Sequence, residues 1–258
     1  MQITPLLAFE DNYIWVITSQ QSNAVVIVDP GDADVVNHYL FQQKRRLLAI
    51  LLTHHHGDHT QGAEELAAQH NARVYGHKNR IAAVSHPVNE GETITFNEVD
   101  LTITVWSTPG HTCDHLSYYS DHQDGLLFCG DTLFSAGCGR IFDGSALTLY
   151  QSLTRIAALP ATTKLYPTHE YTLANLKFAA IAEPNNHAIN NYRNNVEKLI
   201  AEQIPSLPTT VATELAVNPF LHNSDITLRR RAEIFCNHPI NGDAEQFAVV
   251  RAWKDSLD

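Results

Sequence analysis

An α+β fold, with two packed sheets flanked by helices and a small helical domain after them, is what the sequence predicts, on three observations. Through about residue 171, β-branched and aromatic strand-like runs come in series, with helical stretches interrupting them. One run, Leu47-Leu48-Ala49-Ile50-Leu51-Leu52, is apolar at every position, as in a central strand buried on both faces. From about residue 172 the strand signal ends and helical periodicity takes over.

The elements follow in order. Tyr13 to Thr18 and Ala24 to Asp29 are β-branched and aromatic runs, with Gln20-Gln21-Ser22-Asn23 between them as a hairpin turn. Pro30-Gly31-Asp32 ends the second strand, and residues 33–44 have helical spacing with Lys44-Arg45-Arg46 at the C-terminal end. The strand at 47–52 comes next, then a helix from Gln61 to His70 with Glu64 and Glu65 early in it. Arg73 to Gly76 is a short strand. Glu92 to Phe96 and Leu101 to Trp106 alternate in polarity about Asn97-Glu98-Val99-Asp100, the pattern of a hairpin. Strands are expected near 116–119, 126–129 and 164–166, and a helix near 148–158. Beyond residue 172, helices are expected over Asn175–Ala182, His187–Gln203 and Ala244–Leu257, joined by proline-containing loops.

Composition narrows the function. The chain of 258 residues is long enough for a sizeable core, and 44% hydrophobic against 17% charged residues argues for order throughout. A formal charge of −11 disfavours a nucleic-acid partner, which calls for a basic surface. That charge is shared unevenly: residues 1–171 hold 9 Lys+Arg against 18 Asp+Glu, and residues 172–258 hold 8 against 10. Apolar runs fall short of the ~20 residues of a membrane helix, and the N-terminus lacks a secretory pattern, so a cytoplasmic protein is expected. Cys113, Cys129, Cys138 and Cys236 form neither a disulfide framework nor a CxxC pair, and are expected to be reduced thiols.

The chemistry concentrates in Thr53-His54-His55-His56-Gly57-Asp58-His59, directly after the apolar run. Neutral imidazoles and a carboxylate are good ligands for zinc, iron or manganese, and residues two apart diverge on a helix, so the spacing suits a tight loop. Three later segments repeat the theme of an apolar run ending in a metal-capable residue: Thr108-Pro109-Gly110-His111, Cys129-Gly130-Asp131 and Pro167-Thr168-His169. Taken singly, His111 is an ordinary turn histidine and Asp131 an ordinary capping residue; together with the first motif they read as ligands. Seven ligands are too many for one tetrahedral zinc and suit two ions sharing a carboxylate. His54, His56 and His111 would hold the first ion, Asp58, His59 and His169 the second, and Asp131 would bridge. Two such ions share a water and bring its pKa toward ~7, and no G-x-S-x-G elbow offers a protein nucleophile instead. His55 lies between ligands and is expected to point away from them.

These motifs resemble the metallo-β-lactamase fold superfamily and, within it, glyoxalase II, the hydroxyacylglutathione hydrolases. The narrower likeness is carried by Ala136-Gly137-Cys138-Gly139-Arg140, His169-Glu170-Tyr171-Thr172-Leu173-Ala174-Asn175, Asn218-Pro219-Phe220-Leu221 and Arg251-Ala252-Trp253-Lys254, and it spans essentially the whole chain. The resemblance implies a four-layer αββα sandwich of two mixed sheets over residues 1–171 and a helical glutathione-binding domain over 172–258. It implies hydrolysis of S-D-lactoylglutathione and other S-2-hydroxyacylglutathiones to D-lactate and glutathione by a metal-bridging hydroxide, the second step of methylglyoxal detoxification. Asp58 and Asp131 are then catalytic, Arg140, Tyr171, Arg251 and Lys254 bind the glutathione moiety, and two divalent ions, zinc first with iron or manganese as alternatives, serve a monomer. The alternative within this fold is another hydrolase or a persulfide dioxygenase acting on a glutathione conjugate. Phe142, where some members carry tyrosine, Gly57, and His222, where arginine is expected, depart from the family pattern.

Overall fold

The computed structural model of the chain describes residues 1–78 and 80–257. They fall into two compact units, Met1–Ser107 with Asp114–Gly130, and Thr108–Cys113 with Asp131–Asp258.

In the first unit, β1 (Gln2–Ala8), β2 (Asn12–Thr18) and β3 (Ala24–Val28) pair antiparallel. From β3 the pairing turns parallel through β4 (Arg46–Leu51), β5 (Arg73–Gly76) and β6 (His86–Pro87), which makes a mixed sheet. Parallel neighbours require crossovers. The helices α1 (Ala33–Gln42), α2 (Gly57–Thr60) and α3 (Ala63–His70) lie in them. Val25, Ile27, Ile50, Leu52 and Val74 pack with Val36, Leu40 and Leu66 of the helices. The intervening Val26, Ala49 and Leu51 point to the other face by the period of two and are equally buried, so β4 is the central strand its composition predicts. A second, antiparallel group of strands, β7 (Thr93–Phe96), β8 (Leu101–Ser107), β9 (Leu116–Ser120) and β10 (Leu126–Gly130), packs on that face. There Tyr118 donates its hydroxyl to Leu52 O at 2.6 Å, and the rings of Tyr75 and Phe96 meet edge to face.

Three local expectations need correction. β1 went unrecognised because Pro5 interrupts its pattern; the strand sits at the sheet edge, where a missing N–H is tolerated. α1 stops at Gln42 with no basic residue in its last turn, and Arg45 instead donates to Ser19 O and Ser22 O of the β2–β3 turn. Residues 57–60 close a single helical turn where an open loop was expected, with the His59 N–H on His56 O at 3.2 Å. That turn seats against Gly31, where a Cβ would lie 1.9 Å from Asp58 O.

The second unit opens with the segment 108–113. A Cβ on Gly110, at φ +151, would come within 2.4 Å of Leu149 Cα, and Ser152 Oγ donates to Pro109 O at 2.8 Å. Then come β11 (Leu133–Phe134) and β12 (Gly137–Cys138) as a small hairpin, and α4 (Ala146–Ala157), opened by a Ser145–Thr148 capping box. β13 (Lys164–Pro167) follows, and after it the helices α5 (Thr172–Ala182) and α6 (His187–Ala201). β14 (Thr209–Thr210), which pairs with β13, precedes α7 (Val211–Val217), α8 (Ile226–Cys236) and α9 (Asp243–Asp255). Leu176, Ala179, Ile189, Val196 and Val217 enclose Ala136 in one core. α7 and α8 were not anticipated: α7 is two turns long, and Arg229-Arg230-Arg231 dilutes the apolar spacing of α8. Among the described residues no helix is long and apolar enough to cross a membrane.

Candidate metal centre and substrate residues

In the first unit the ligand motif is organised by Asp29, a 2% exposed residue at the end of β3 with φ +51. Its carboxylate accepts from Thr53 N at 2.8 Å, Thr53 Oγ1 at 2.6 Å and His59 Nδ1 at 2.9 Å. Because the Thr53 hydroxyl gives its proton to Asp29, its oxygen accepts from His54 Nδ1–H, 3.0 Å away. Both imidazoles are thereby held in the tautomer that carries a lone pair on Nε2. His54 Nε2 lies 2.9 Å from His56 Nδ1, and His59 Nε2 lies 3.3 Å from Asp58 Oδ2. Asn12 Nδ2 steadies the Asp58 carboxylate at 3.0 Å. His55 turns away, as expected, to pair with Asp114 at 2.8 Å.

In the second unit, His111 donates Nδ1–H to Arg140 O at 2.6 Å and turns Nε2 toward Asp131 Oδ2, 3.5 Å away. His169 Nε2 reaches the same oxygen at 3.6 Å. The other oxygen, Oδ1, accepts from Thr168 Oγ1 at 2.6 Å, which fixes the carboxylate plane. One carboxylate oxygen is thus flanked by two imidazole nitrogens, the relation a bridging ligand has to the terminal ligands of two ions. The donor set fits the group the fold implies: neutral imidazoles and carboxylates, with His54, His59, His111, Asp58 and Asp131 each oriented by a hydrogen bond to its outer side, suit a divalent transition metal.

The four substrate residues differ in setting. Arg140 keeps its side chain about half exposed, 52%, with Nε 3.6 Å from Asp255 Oδ1. Tyr171, partly exposed, stacks on His169 with ring centroids 4.8 Å apart and planes at 5°. Arg251 is buried: it donates to Cys138 O at 3.0 Å and Asp255 Oδ1 at 2.9 Å, with its guanidinium over the Phe220 ring. Lys254, one turn on, is buried as well. Asp255 is thus shared by Arg140 and Arg251. Burial pushes the Cys138 thiol up in pKa, against the pull of Arg251, so this cysteine stays protonated beside the guanidinium.

Two residues that matter here went unnamed in the sequence. Asp29 carries the same signal as the candidate ligands, an apolar run closing on an acid, but reads in the sequence only as the last residue of a strand. Glu214 gave no signal at all, since a glutamate on a short helix reads as a surface residue.

The family model described as metallo-beta-lactamase superfamily matches residues 8–169, and that described as hydroxyacylglutathione hydrolase C-terminus matches residues 170–257. The hydroxyacylglutathione hydrolase of Shewanella halifaxensis is 46% identical over 260 residues, covering all of both chains. That of Hahella chejuensis is 44% identical over 98% of each. Among solved structures, ETHE1 from Myxococcus xanthus superposes with a TM-score of 0.67 at 26% identity, covering 98% of this chain and all of that one. The BLEG-1 B3 metallo-beta-lactamase gives 0.63 at 24% identity, over 86% of this chain and 99% of its own.

Proposed function

The chain belongs to the hydroxyacylglutathione hydrolase family of the metallo-β-lactamase superfamily, and from this we propose that it is a glyoxalase II, hydrolysing S-D-lactoylglutathione to D-lactate and glutathione. Its fold is the α+β metallo-β-lactamase fold with the family's C-terminal domain. The likeness over the full length of both chains carries the substrate class, because it includes the C-terminal part that the superfamily model does not match. We take residues 1–171 as the catalytic domain and 172–258 as the glutathione-binding domain of a cytoplasmic monomer.

The centre is a divalent-metal site, read here as two zinc ions, with iron or manganese also suited to the ligands. His54, His56 and His111 would hold one ion and Asp58, His59 and His169 the other, with Asp131 as the shared carboxylate. When bound, the ions supply Lewis-acid charge for the thioester carbonyl and a water acidified to near neutrality. The chain's own residues do the rest. Asp29 and Thr53 hold His54 and His59 in the tautomer that leaves the Nε2 lone pair available to a metal. Asp58, steadied by Asn12, accepts a hydrogen bond from the attacking water and orients it to the carbonyl carbon. The water oxygen adds to the carbonyl carbon to give a tetrahedral oxyanion, whose collapse breaks the C–S bond, and the departing glutathione thiolate takes up the proton that the water has lost. Arg140, Tyr171, Arg251 and Lys254 would bind the glutathione portion of the substrate, with Arg140 and Tyr171 the more exposed pair and Arg251 also donating to the Cys138 carbonyl two residues before Arg140.

Purified protein is expected to contain two divalent ions per chain and to release thiol from S-D-lactoylglutathione, with chelation abolishing and metal restoring the activity. Asp131→Ala is expected to lower activity and metal content together, beyond the ~10–100-fold that outer partners of a ligand are worth. An Asp131→Ala protein with full metal and full thioesterase activity would sink the reading. Oxygen uptake on glutathione persulfide, without thiol release from the thioester, would mark a dioxygenase instead.

A further inference from the structure

The hairpin joining Asp131 to Arg140 is held at its turn by a carboxylate that belongs to no ligand set. β11 and β12 leave Ser135 and Ala136 as that turn, with Ala136 at φ +56, a left-handed conformation that alanine keeps only where its surroundings impose it. Glu214 of α7, 0% exposed, meets it from inside the unit. Its Oε1 accepts from Ser135 Oγ at 2.8 Å and Thr209 Oγ1 at 2.7 Å; its Oε2 accepts from Ala136 N at 2.8 Å and Asn218 Nδ2 at 2.9 Å. Asn218 Nδ2 also donates to Gly137 O at 2.9 Å, on the far side of the same turn. A fully buried carboxylate is costly, and four donors converging on it make it a fixed anchor for the turn.

What the turn carries ties this anchor to the reaction. One arm ends in Phe134, whose ring stands edge-on to His169 at 5.7 Å and to Tyr171 at 5.1 Å, the two rings that stack on each other. The other arm leads through Cys138 to Arg140, whose carbonyl receives the His111 Nδ1 proton. Displacing the turn therefore moves the support of Tyr171 and the approach of Arg140 together.

We propose that Glu214 is a positioning residue for substrate binding: by anchoring the Ser135–Ala136 turn it presets Tyr171, through Phe134, and Arg140 for the peptide portion of the substrate. This rests on the thioester-hydrolase reading above. Two variants separate it from a purely structural role. Glu214→Gln keeps an acceptor for the Ala136 N–H and turns its amide to hydroxyls that can accept. Glu214→Asp draws the carboxylate back by one methylene, out of reach of both turn donors together. With metal-loaded protein and S-D-lactoylglutathione, Glu214→Asp is expected to raise KM ~10-fold with kcat within ~3-fold of wild type, and Glu214→Gln to stay within ~2-fold in both. Metal content should not change, and amide hydrogen exchange over residues 132–140 should quicken in Glu214→Asp alone.

A wild-type KM in Glu214→Asp, or kcat and metal content falling in step with KM, overturns the proposal. Should Glu214→Asp not fold, Ser135→Ala, which removes one donor from the turn, carries the same test with a smaller rise in KM. A wild-type protein that releases no thiol would refute the functional reading instead. In that event unchanged exchange at the hairpin still overturns the anchoring role, and quickened exchange upholds it.

Discussion

Asp29 shows how much of a metal site is decided one atom behind the ligands. Its carboxylate accepts one hydrogen bond from Thr53 N, one from Thr53 Oγ1 and one from His59 Nδ1, and so sets the tautomer of His59 directly and that of His54 through the threonine. Asp29→Ala leaves every ligand in place but frees both rings to rotate. Metal affinity is expected to fall ~10–100-fold, the usual worth of such partners, with the fold retained. Competitive titration with a chromophoric chelator reads this, and an affinity equal to wild type would show that Asp29 does not hold the rings. Asp29 stood at the end of an apolar run like the recognised ligands, yet its work depends on Thr53 and His59 lying across from it. That relation is set by the pairing of β3 with β4, 24 and 30 residues away in sequence.

Helix α4 makes the corresponding point for an element. The amphipathic run near 148–158 was legible, but its start lies at Ala146, capped by Ser145, whose Oγ accepts from Thr148 N at 3.1 Å while Thr148 Oγ1 accepts from Ser145 N at 3.1 Å. The helix also supports the segment carrying His111: Ser152 Oγ binds Pro109 O, and Leu149 leaves room at Gly110 for no side chain. Ser145→Ala is expected to cost ~1 kcal/mol of stability, within the range of N-cap losses. Urea unfolding measures it, and a midpoint unchanged from wild type would show the box to be without effect. The long, strongly patterned elements β2, β4, β8, α6 and α9 were readable because burial imposes a period on their residues. β11, β12 and β14 were not: two-residue strands carry no period, and only their partners define them.

The molecule as a unit adds a pH dependence to its stability. His222, after α7, directs Nδ1 to Glu183 Oε1 at 2.6 Å and Nε2 to Leu215 O at 2.8 Å. A ring satisfying two acceptors must carry both protons. Burial works to lower its pKa, but the hydrogen bond and charge of Glu183, the Leu215 carbonyl and the charge of Asp225 outweigh it, so the net shift is upward from 6.5. A folded pKa above the unfolded one means that the stabilisation is complete below about 6.5 and is lost as pH rises through the folded value. Unfolding midpoints of wild type should therefore decline with rising pH above about 6.5 more steeply than those of His222→Gln. Parallel curves for the two would exclude the effect. Arginine, which the family resemblance suggests at this position, would not titrate in that range.

The sequence alone determined the kind of chemistry: four apolar runs each ending in histidine or aspartate offer seven candidate ligands, because residue types and strand-end positions are local properties. The helical character of the chain after residue 172 was local too. Only the tertiary structure decided which atom His54, His59, His111 and Asp131 turn inward, since tautomer and carboxylate plane depend on Asp29, Thr53, Thr168 and the Arg140 carbonyl, partners brought close by folding. It also placed the Arg251 guanidinium in the interior against the Cys138 carbonyl, and the Glu214 carboxylate against the Ser135–Ala136 turn. Both follow from burial, which sequence reports for apolar side chains by their periodicity and does not report for a charged one, whose presence inside depends on where its donors and acceptors end up.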